Sequence, residues 1–246
     1  MCLGKTHAIA ATAIGLGAAV PLAIYLGHSL PVVGVVAFAG VAGGYGVLSD
    51  LDHSGATLSK VLGPVTGVIS KGINAVSGGH RKGTHTIWFA AGMVALVWFL
   101  VSRFGLWAQV PVVFIGLYLV LMLLRIAPRR GGAGEIVFAL EAAAATWAVS
   151  HSVTDLWWVP FAVGVGVVAH ILADCITTAG VPVLYPLLPK FKMRLPILGD
   201  TGSGRETAFG VLCAVATVWL ALALFTGNDW WAASWVLHPD SWRWAA

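Results

Sequence analysis

Residues 47–53 read VLSDLDH and close an apolar run that begins near residue 31. Two aspartates and a histidine therefore stand where a stretch of valine, alanine and glycine ends. Whether that run is the core helix of a soluble domain or a membrane span decides the fold. Of the 246 residues, 59% are hydrophobic and only 10% are charged, against about 25% charged in soluble domains. The run is therefore read as a span. Ionisable groups at such a place are costly unless compensated, so the cluster predicts partners elsewhere in the chain.

Working outward, seven runs approach the length of about 20 apolar residues that a spanning helix needs. They cover approximately 8–26, 31–48, 86–102, 106–124, 135–151, 156–174 and 207–226. The first, with Lys5 ahead of it, has the look of a signal peptide, but further spans follow directly and it is read as a retained helix. Between Thr57 and Val76 the residues Leu58, Val61, Leu62, Val65, Val68, Ile69, Ile73 and Val76 recur at helical spacing, with Lys60 and Lys71 off the stripe. That pattern predicts a helix lying in the membrane interface, with Pro64 and Gly67 as its weak points. The expected fold is all-α: a polytopic helical membrane protein of about seven transmembrane helices plus an interfacial amphipathic helix. It forms a single domain over 1–246, with a motif-bearing core at about 5–210 and a Trp-rich tail at 227–246. Cys2, Cys175 and Cys213 show no paired spacing, which argues against a disulfide framework and a cysteine zinc site.

Seven spans put the N-terminus and the loops 49–85, 125–134 and 175–206 on one face. That face holds Lys5, Lys60, Lys71, Arg81, Lys82, Arg125, Arg129, Arg130, Lys190, Lys192, Arg194 and Arg205, whereas the other keeps Arg103 and Arg243. Lys and Arg favour cytoplasmic loops, so the N-terminus is expected inside and the C-terminus outside. Trp107, Trp157, Trp158, Trp230 and Trp231 then fall at the outer boundary as an aromatic belt. The net charge of +4 reports this orientation rather than a nucleic-acid partner, and none is expected.

The same assignment gathers His7, Asp50, Asp52, His53, His80, His85, His170, Asp174 and Glu206 at the cytoplasmic ends of spans or in adjoining loops. In HILAD, His170 and Asp174 are one turn apart on one helical side and can chelate a cation or simply pair to fix packing. Asp50 and Asp52 cannot share a helical face, so the helix must end or unwind there; Asp50 could instead be a cap. His80 and His85 in HRKGTH have a loop spacing that suits either a site or a solvated basic loop. His7 is either a ligand or interfacial decoration. Imidazoles and carboxylates without thiolate suit zinc first, then manganese or iron, as one or two divalent ions. Asp52, His85 and Glu206 are candidate proton-transfer groups around a metal-bound water. Arg81, Lys190, Lys192 and Arg194 are candidates to hold a phosphate, although the latter three equally serve the charge bias. DTGSGRE before the last span lacks the lysine and spacing of a P-loop, which excludes a nucleotide site there. Glu141, inside the fifth run, is left outside the core.

THAIA, SDLDH, GHRKGTHT, AHILADCITTAGVPVLYP and the following RLPI together resemble the YdjM-type family of membrane-bound metal-dependent hydrolases, also called LexA-binding inner-membrane-associated hydrolases. The likeness runs over roughly residues 5–210. It implies that His7, Asp50, Asp52, His53, His80, His85, His170 and Asp174 are the family's motif residues, in a bacterial inner-membrane protein. The expectation is a hydrolase acting at the cytoplasmic face on a membrane lipid or lipid-linked phosphoester. The alternatives are a divalent-metal transporter and a membrane-anchored regulatory protein that binds a cytosolic partner.

Overall fold

A computed structural model describes residues 3–56, 58–60, 64–124 and 132–226. Arg125, Arg129, Arg130, Trp230, Trp231, Arg243 and the Trp-rich tail lie outside the described residues. The fold is all-α, with helices α1 (Gly4–Tyr25), α2 (Val32–Tyr45), α3 (Pro64–Ser77), α4 (Ile87–Phe104), α5 (Leu106–Leu124), α6 (Gly132–Ser152), α7 (Trp158–Cys175) and α8 (Gly204–Thr226). Short 3-10 turns occupy Leu48–Asp52, Leu58–Lys60 and Gly83–His85. Among the described residues, six stretches are long and apolar enough to cross a membrane, namely α1, Val32–Asp52, α4, α5, α7 and α8. The fifth expected run is also a helix, α6, of spanning length at 21 residues, but it falls outside that apolar set and carries Glu135, Glu141 and His151.

The core is organised around α2 and α7. Helix α2 packs on α1, α5, α6 and α7, and α7 also meets α1 and α4. Lipid tails are as apolar as leucine, so spanning helices gain little from hydrophobic exclusion and associate through close backbone approach over small residues. A Cβ on Gly44 would meet the Gly116 carbonyl oxygen of α5 at 1.9 Å, and one on Gly166 of α7 would meet the Ala42 carbonyl oxygen at 2.4 Å. A Cβ on Gly46 would reach Ala11 of α1 at 2.5 Å. The glycines of VAGGYG thus let α1 and α5 close onto α2, and Gly166 lets α7 do the same. On the periphery, α4 and α8 turn large apolar side chains outward, among them Trp88, Phe99, Leu212 and Val215, where a bilayer would cover them.

Two expectations need correction. Trp157 and Trp158 are buried in the helix core, the latter against Phe38, rather than facing headgroups; Trp107 alone among the described outer tryptophans is largely exposed. And the stretch expected as one helix from Thr57 is divided: Leu58–Lys60 is a 3-10 turn, Thr57, Val61 and Leu62 lie outside the described residues, and α3 begins at Pro64, where proline's missing N–H and fixed φ are tolerated, then runs unbroken through Gly67. Its uncharged polar residues face inward, and Lys71 is exposed. Ser70 is buried on Ser59, and the Asn74 amide donates to the Asp52 carbonyl at 2.7 Å. Val65, Val68, Ile69 and Val76 point away from the protein.

The contact of α2 with α5 yields a stability test. Gly44→Val must displace the Gly116 backbone, and overpacking of this kind costs roughly 1–3 kcal/mol. Gly92→Ala, in α4 with nothing within 4 Å of its Cβ, relieves backbone entropy instead and should gain about 0.5–1 kcal/mol. Thermal midpoints in detergent should therefore move in opposite directions, and equal midpoints for the two variants would contradict the packing described.

Candidate metal centre

Helix α2 stops at Tyr45, and the chain continues as the 3-10 turn Leu48–Asp52. A 3-10 turn has about three residues per turn, so residues two apart point in different directions. Asp50 and Asp52 divide accordingly. Asp50 turns toward α7 and Asp52 toward the loop that carries HRKGTH.

Four side chains converge from three segments. His85 Nε2 lies 3.2 Å from His170 Nε2, 3.9 Å from Asp50 Oδ1 and 3.5 Å from Asp174 Oδ2. His170 Nε2 is 3.7 Å from Asp50 Oδ1 and 4.0 Å from Asp174 Oδ2. All four residues are buried. His7, in the first turn of α1 rather than ahead of it, stacks on the His170 ring at 3.7 Å and brings Nε2 to 3.5 Å from Asp174 Oδ1.

The hydrogen bonds fix where the protons are. His170 Nδ1 lies 2.8 Å from the Gly46 carbonyl, which can only accept, so Nδ1 carries the proton and Nε2 is bare. Thr84 Oγ1 is 2.6 Å from Asp52 Oδ2 and 3.0 Å from His85 Nδ1. The hydroxyl has one proton, and the carboxylate takes it. His85 Nδ1 must then donate to Thr84, which leaves its Nε2 bare as well. Two imidazole lone pairs thus face each other among carboxylate oxygens, and among the described residues no hydrogen-bond donor reaches Asp50 Oδ1. Such a constellation is repulsive unless a cation lies within it. Tetrahedral zinc with ligands at 2.0–2.1 Å holds its donors about 3.3 Å apart, close to the separations seen. These buried His and Asp groups could hold a metal ion, and His7–His170–Asp174 and Asp50–His85–His170 both meet the spacing for one.

Asp52 stands behind this shell. Its carboxylate accepts from Thr84, from the Arg81 backbone N–H at 3.2 Å and from His80 Nδ1 at 2.7 Å, so it folds the HRKGTH loop and orients His85 through Thr84. Outer carboxylates that fix a ligand's tautomer are the usual support of metal histidines. His80 sits at the partly exposed rim, edge-on to both His53 and His85; His53 lies beyond it and accepts from the Gly55 N–H at 3.0 Å. Burial holds the His85 imidazole well below the ordinary histidine value, keeping it neutral and able to ligate.

Arg81 adopts a left-handed backbone, φ 62°, which is strained for a residue with a side chain. That backbone sends its N–H to Asp52 while the guanidinium reaches Asp174 Oδ2 at 3.6 Å and the Gly180 carbonyl at 3.3 Å. Arg194 stands against Gly180, within 2.8 Å of an ideal Cβ there. Lys190 and Lys192 are exposed on the same loop, which is tied by a single bridge, Val181 to Met193. Glu206, the third residue expected to move protons, stands in the first turn of α8. Its carboxylate caps helix ends, accepting from the Leu3 N–H at the start of α1 and from the Gly202 N–H at 2.7 Å, while Ser203 caps α8 in return.

The folded motifs match one family. A sequence model of the YdjM inner membrane protein family covers residues 1–236. The chain belongs to that family. Neither the curated proteins nor the solved structures give a match. Family membership supports a membrane protein, and every motif quoted from the sequence lies within the matched residues.

Thr84, the Gly46 carbonyl and Asn74 are functional contacts that motif reading passed over. Only Thr84 had a signal, its place one residue before His85. Elemental analysis of purified protein separates these roles. His170→Ala should lose the metal, Thr84→Val should weaken its binding roughly 10–100-fold by releasing the His85 tautomer, and Glu206→Gln should leave metal content unchanged. The protein freed of metal should lose stability as pH falls below about 6.5, because the unfolded imidazole binds a proton there and buried His85 does not. A midpoint independent of pH between 7 and 5 would contradict that assignment.

Proposed function

We propose that this YdjM family member is a multi-pass, membrane-embedded hydrolase that cleaves a lipid or lipid-linked phosphoester at the cytoplasmic face, with its N-terminus inside and C-terminus outside. The observation that carries the reading is the pair of bare Nε2 atoms of His85 and His170, turned toward Asp50 and Asp174 at the ends of apolar helices. The excess of Lys and Arg on the same face supports the orientation, and a donor set without thiolate favours zinc, with manganese or iron next.

Asp50, His85, His170 and Asp174 are assigned to hold the ion, with His7 closing the side against Asp174. Held by these residues, a divalent ion would supply an acidified water, of pKa about 7, and polarisation of a phosphoryl oxygen. The chain's own residues supply the rest. His80 keeps its Nδ1 proton on Asp52, so Nε2 is the ring's basic atom, and at the rim of the centre it is the group assigned to take the proton from the attacking water. Asp52 orients that imidazole and offsets the positive charge it gains. Arg81, anchored by Asp174 and the Gly180 carbonyl, presents N–H groups suited to phosphoryl oxygens.

The test is turnover. Protein reconstituted in vesicles of phosphatidylglycerol and phosphatidylethanolamine, or supplied with a polyprenyl phosphate or diphosphate, should release a phosphorylated headgroup or inorganic phosphate. A chelator should abolish release. His80→Ala should lower kcat roughly 100–10,000-fold, the range of a positioned acid or base, while metal content stays at the wild-type level. Metal uptake into the vesicles with no turnover of any phosphoester would reverse the reading in favour of a transporter.

A further inference from the structure

We propose that a cleft between α4 and α7 seats a hydrocarbon chain of a phospholipid whose phosphate rests on Arg81, so that substrate reaches the centre sideways from the bilayer. This rests on the hydrolase reading above and adds the substrate class and its route.

The cleft has a volume of about 210 Å³ and is lined by apolar side chains, including Ile87 and Ala90 of α4, Ile171 and Leu172 of α7, and Met193 of the following loop. Most of helix α7 is closed to the surroundings, with Phe161 and Val165 partly covered. Along its whole length just two side chains are exposed, Val168 and Leu172, and both line this cleft. The helix is thus most open where the cleft lies.

Each wall of the cleft is continuous with the metal centre. On α7, Ile171 and Cys175 directly follow His170 and Asp174. The α4 wall begins at Ile87, two residues after His85, and its backbone N–H donates to the Val183 carbonyl at 3.1 Å. The third wall leads back through Val181 to Gly180, whose carbonyl receives Arg81.

Polarity along these walls is graded. Val168 and Leu172 lie deeper along α7 than Asp174. The cation at the other end is Arg81, on Asp174 and the Gly180 carbonyl, with Lys82 of the same loop over the Tyr185 ring at 5.9 Å. An apolar seat below a guanidinium is complementary to a molecule with a hydrocarbon tail and an anionic head. In a bilayer the inner-leaflet phospholipid already has that orientation, with its phosphate near the helix ends and its chains alongside α4 and α7.

The experiment uses the full-length protein in phosphatidylethanolamine vesicles with increasing phosphatidylglycerol whose acyl chain carries a photoreactive diazirine. Adducts are mapped by mass spectrometry. Labelling of the α4 and α7 cleft peptides should saturate, whereas labelling of the outward apolar face of α8 (Leu212, Val215) should rise in proportion to the probe. Val168→Trp, at the exposed rim, should cut cleft labelling roughly tenfold by displacing a few methylenes from their seat, and leave α8 labelling unchanged. Arg81→Gln should raise the probe concentration needed for saturation. Cleft labelling that rises in proportion to the probe and ignores Val168→Trp would overturn the proposal, even if the protein hydrolyses lipid. Saturable labelling with no turnover would uphold the seat and defeat the hydrolase reading instead.

Discussion

The rest of the site depends on the opposition of two unprotonated imidazole nitrogens, His85 Nε2 and His170 Nε2, 3.2 Å apart in the interior. Neither can turn its proton inward, because the Gly46 carbonyl claims one Nδ1 proton and Thr84 the other. Asp50, Asp52 and Asp174 add carboxylates to a volume almost closed to solvent. Burying charge without a partner is among the most unfavourable things a fold can do. The guanidinium of Arg81 reaches Asp174 from the rim, and Asp52 is satisfied by three donors. That leaves the facing lone pairs and Asp50 Oδ1, a hole in the charge balance that has the shape and donor chemistry of a cation.

This opposition is set by backbone geometry well away from the imidazoles. Gly166 brings α7 against the Ala42 carbonyl and the Gly46 backbone of α2. Only at that distance can His170 reach the Gly46 carbonyl. Gly44 and Gly116 fix α5 on the opposite side of α2, and the same run of glycines lets α2 end early enough for a 3-10 turn to part Asp50 from Asp52. The small residues that substitute for a hydrophobic driving force in lipid are therefore also what aligns the ligands. Packing and chemistry share the positions 42–46.

Much of this was legible in the residues, and the rest was hidden for identifiable reasons. Composition and apolar run lengths gave an all-helical membrane protein, because hydrocarbon thickness leaves few alternatives. Spacing grouped His170 with Asp174 and demanded an unwound helix at SDLDH. What spacing could not give was rank. Asp50 and Asp52 look equivalent in sequence, and their separation into an inward-facing acid and an orienting one follows from which loop folds over each. Glu206 falls at the cytoplasmic end of a span like the other candidates, yet a Ser-x-x-Glu pattern at 203–206 also marks a helix start, and its partner, the Leu3 N–H, is 203 residues away. The tryptophans at 157–158 satisfied an interface pattern, but core packing against Phe38 and its neighbours claimed them.

The inverted helix α3 carries the argument one step further. In a soluble protein it would be built backwards, with Ser70 and Asn74 inside and Val65, Val68, Ile69 and Val76 outside. Each of those apolar side chains gains up to about 1.5–3 kcal/mol on leaving water, so the arrangement is favourable only where the outer side is not water. Seated at a membrane interface, the helix turns its polar face to the centre, and Asn74 holds the Asp52 carbonyl at the end of the 3-10 turn. Asp52 in turn gathers His80, Arg81 and Thr84, and through Thr84 sets the tautomer of His85. One face of α3 thus suits an apolar surrounding, while the other packs against the turn on which the ligand geometry is built.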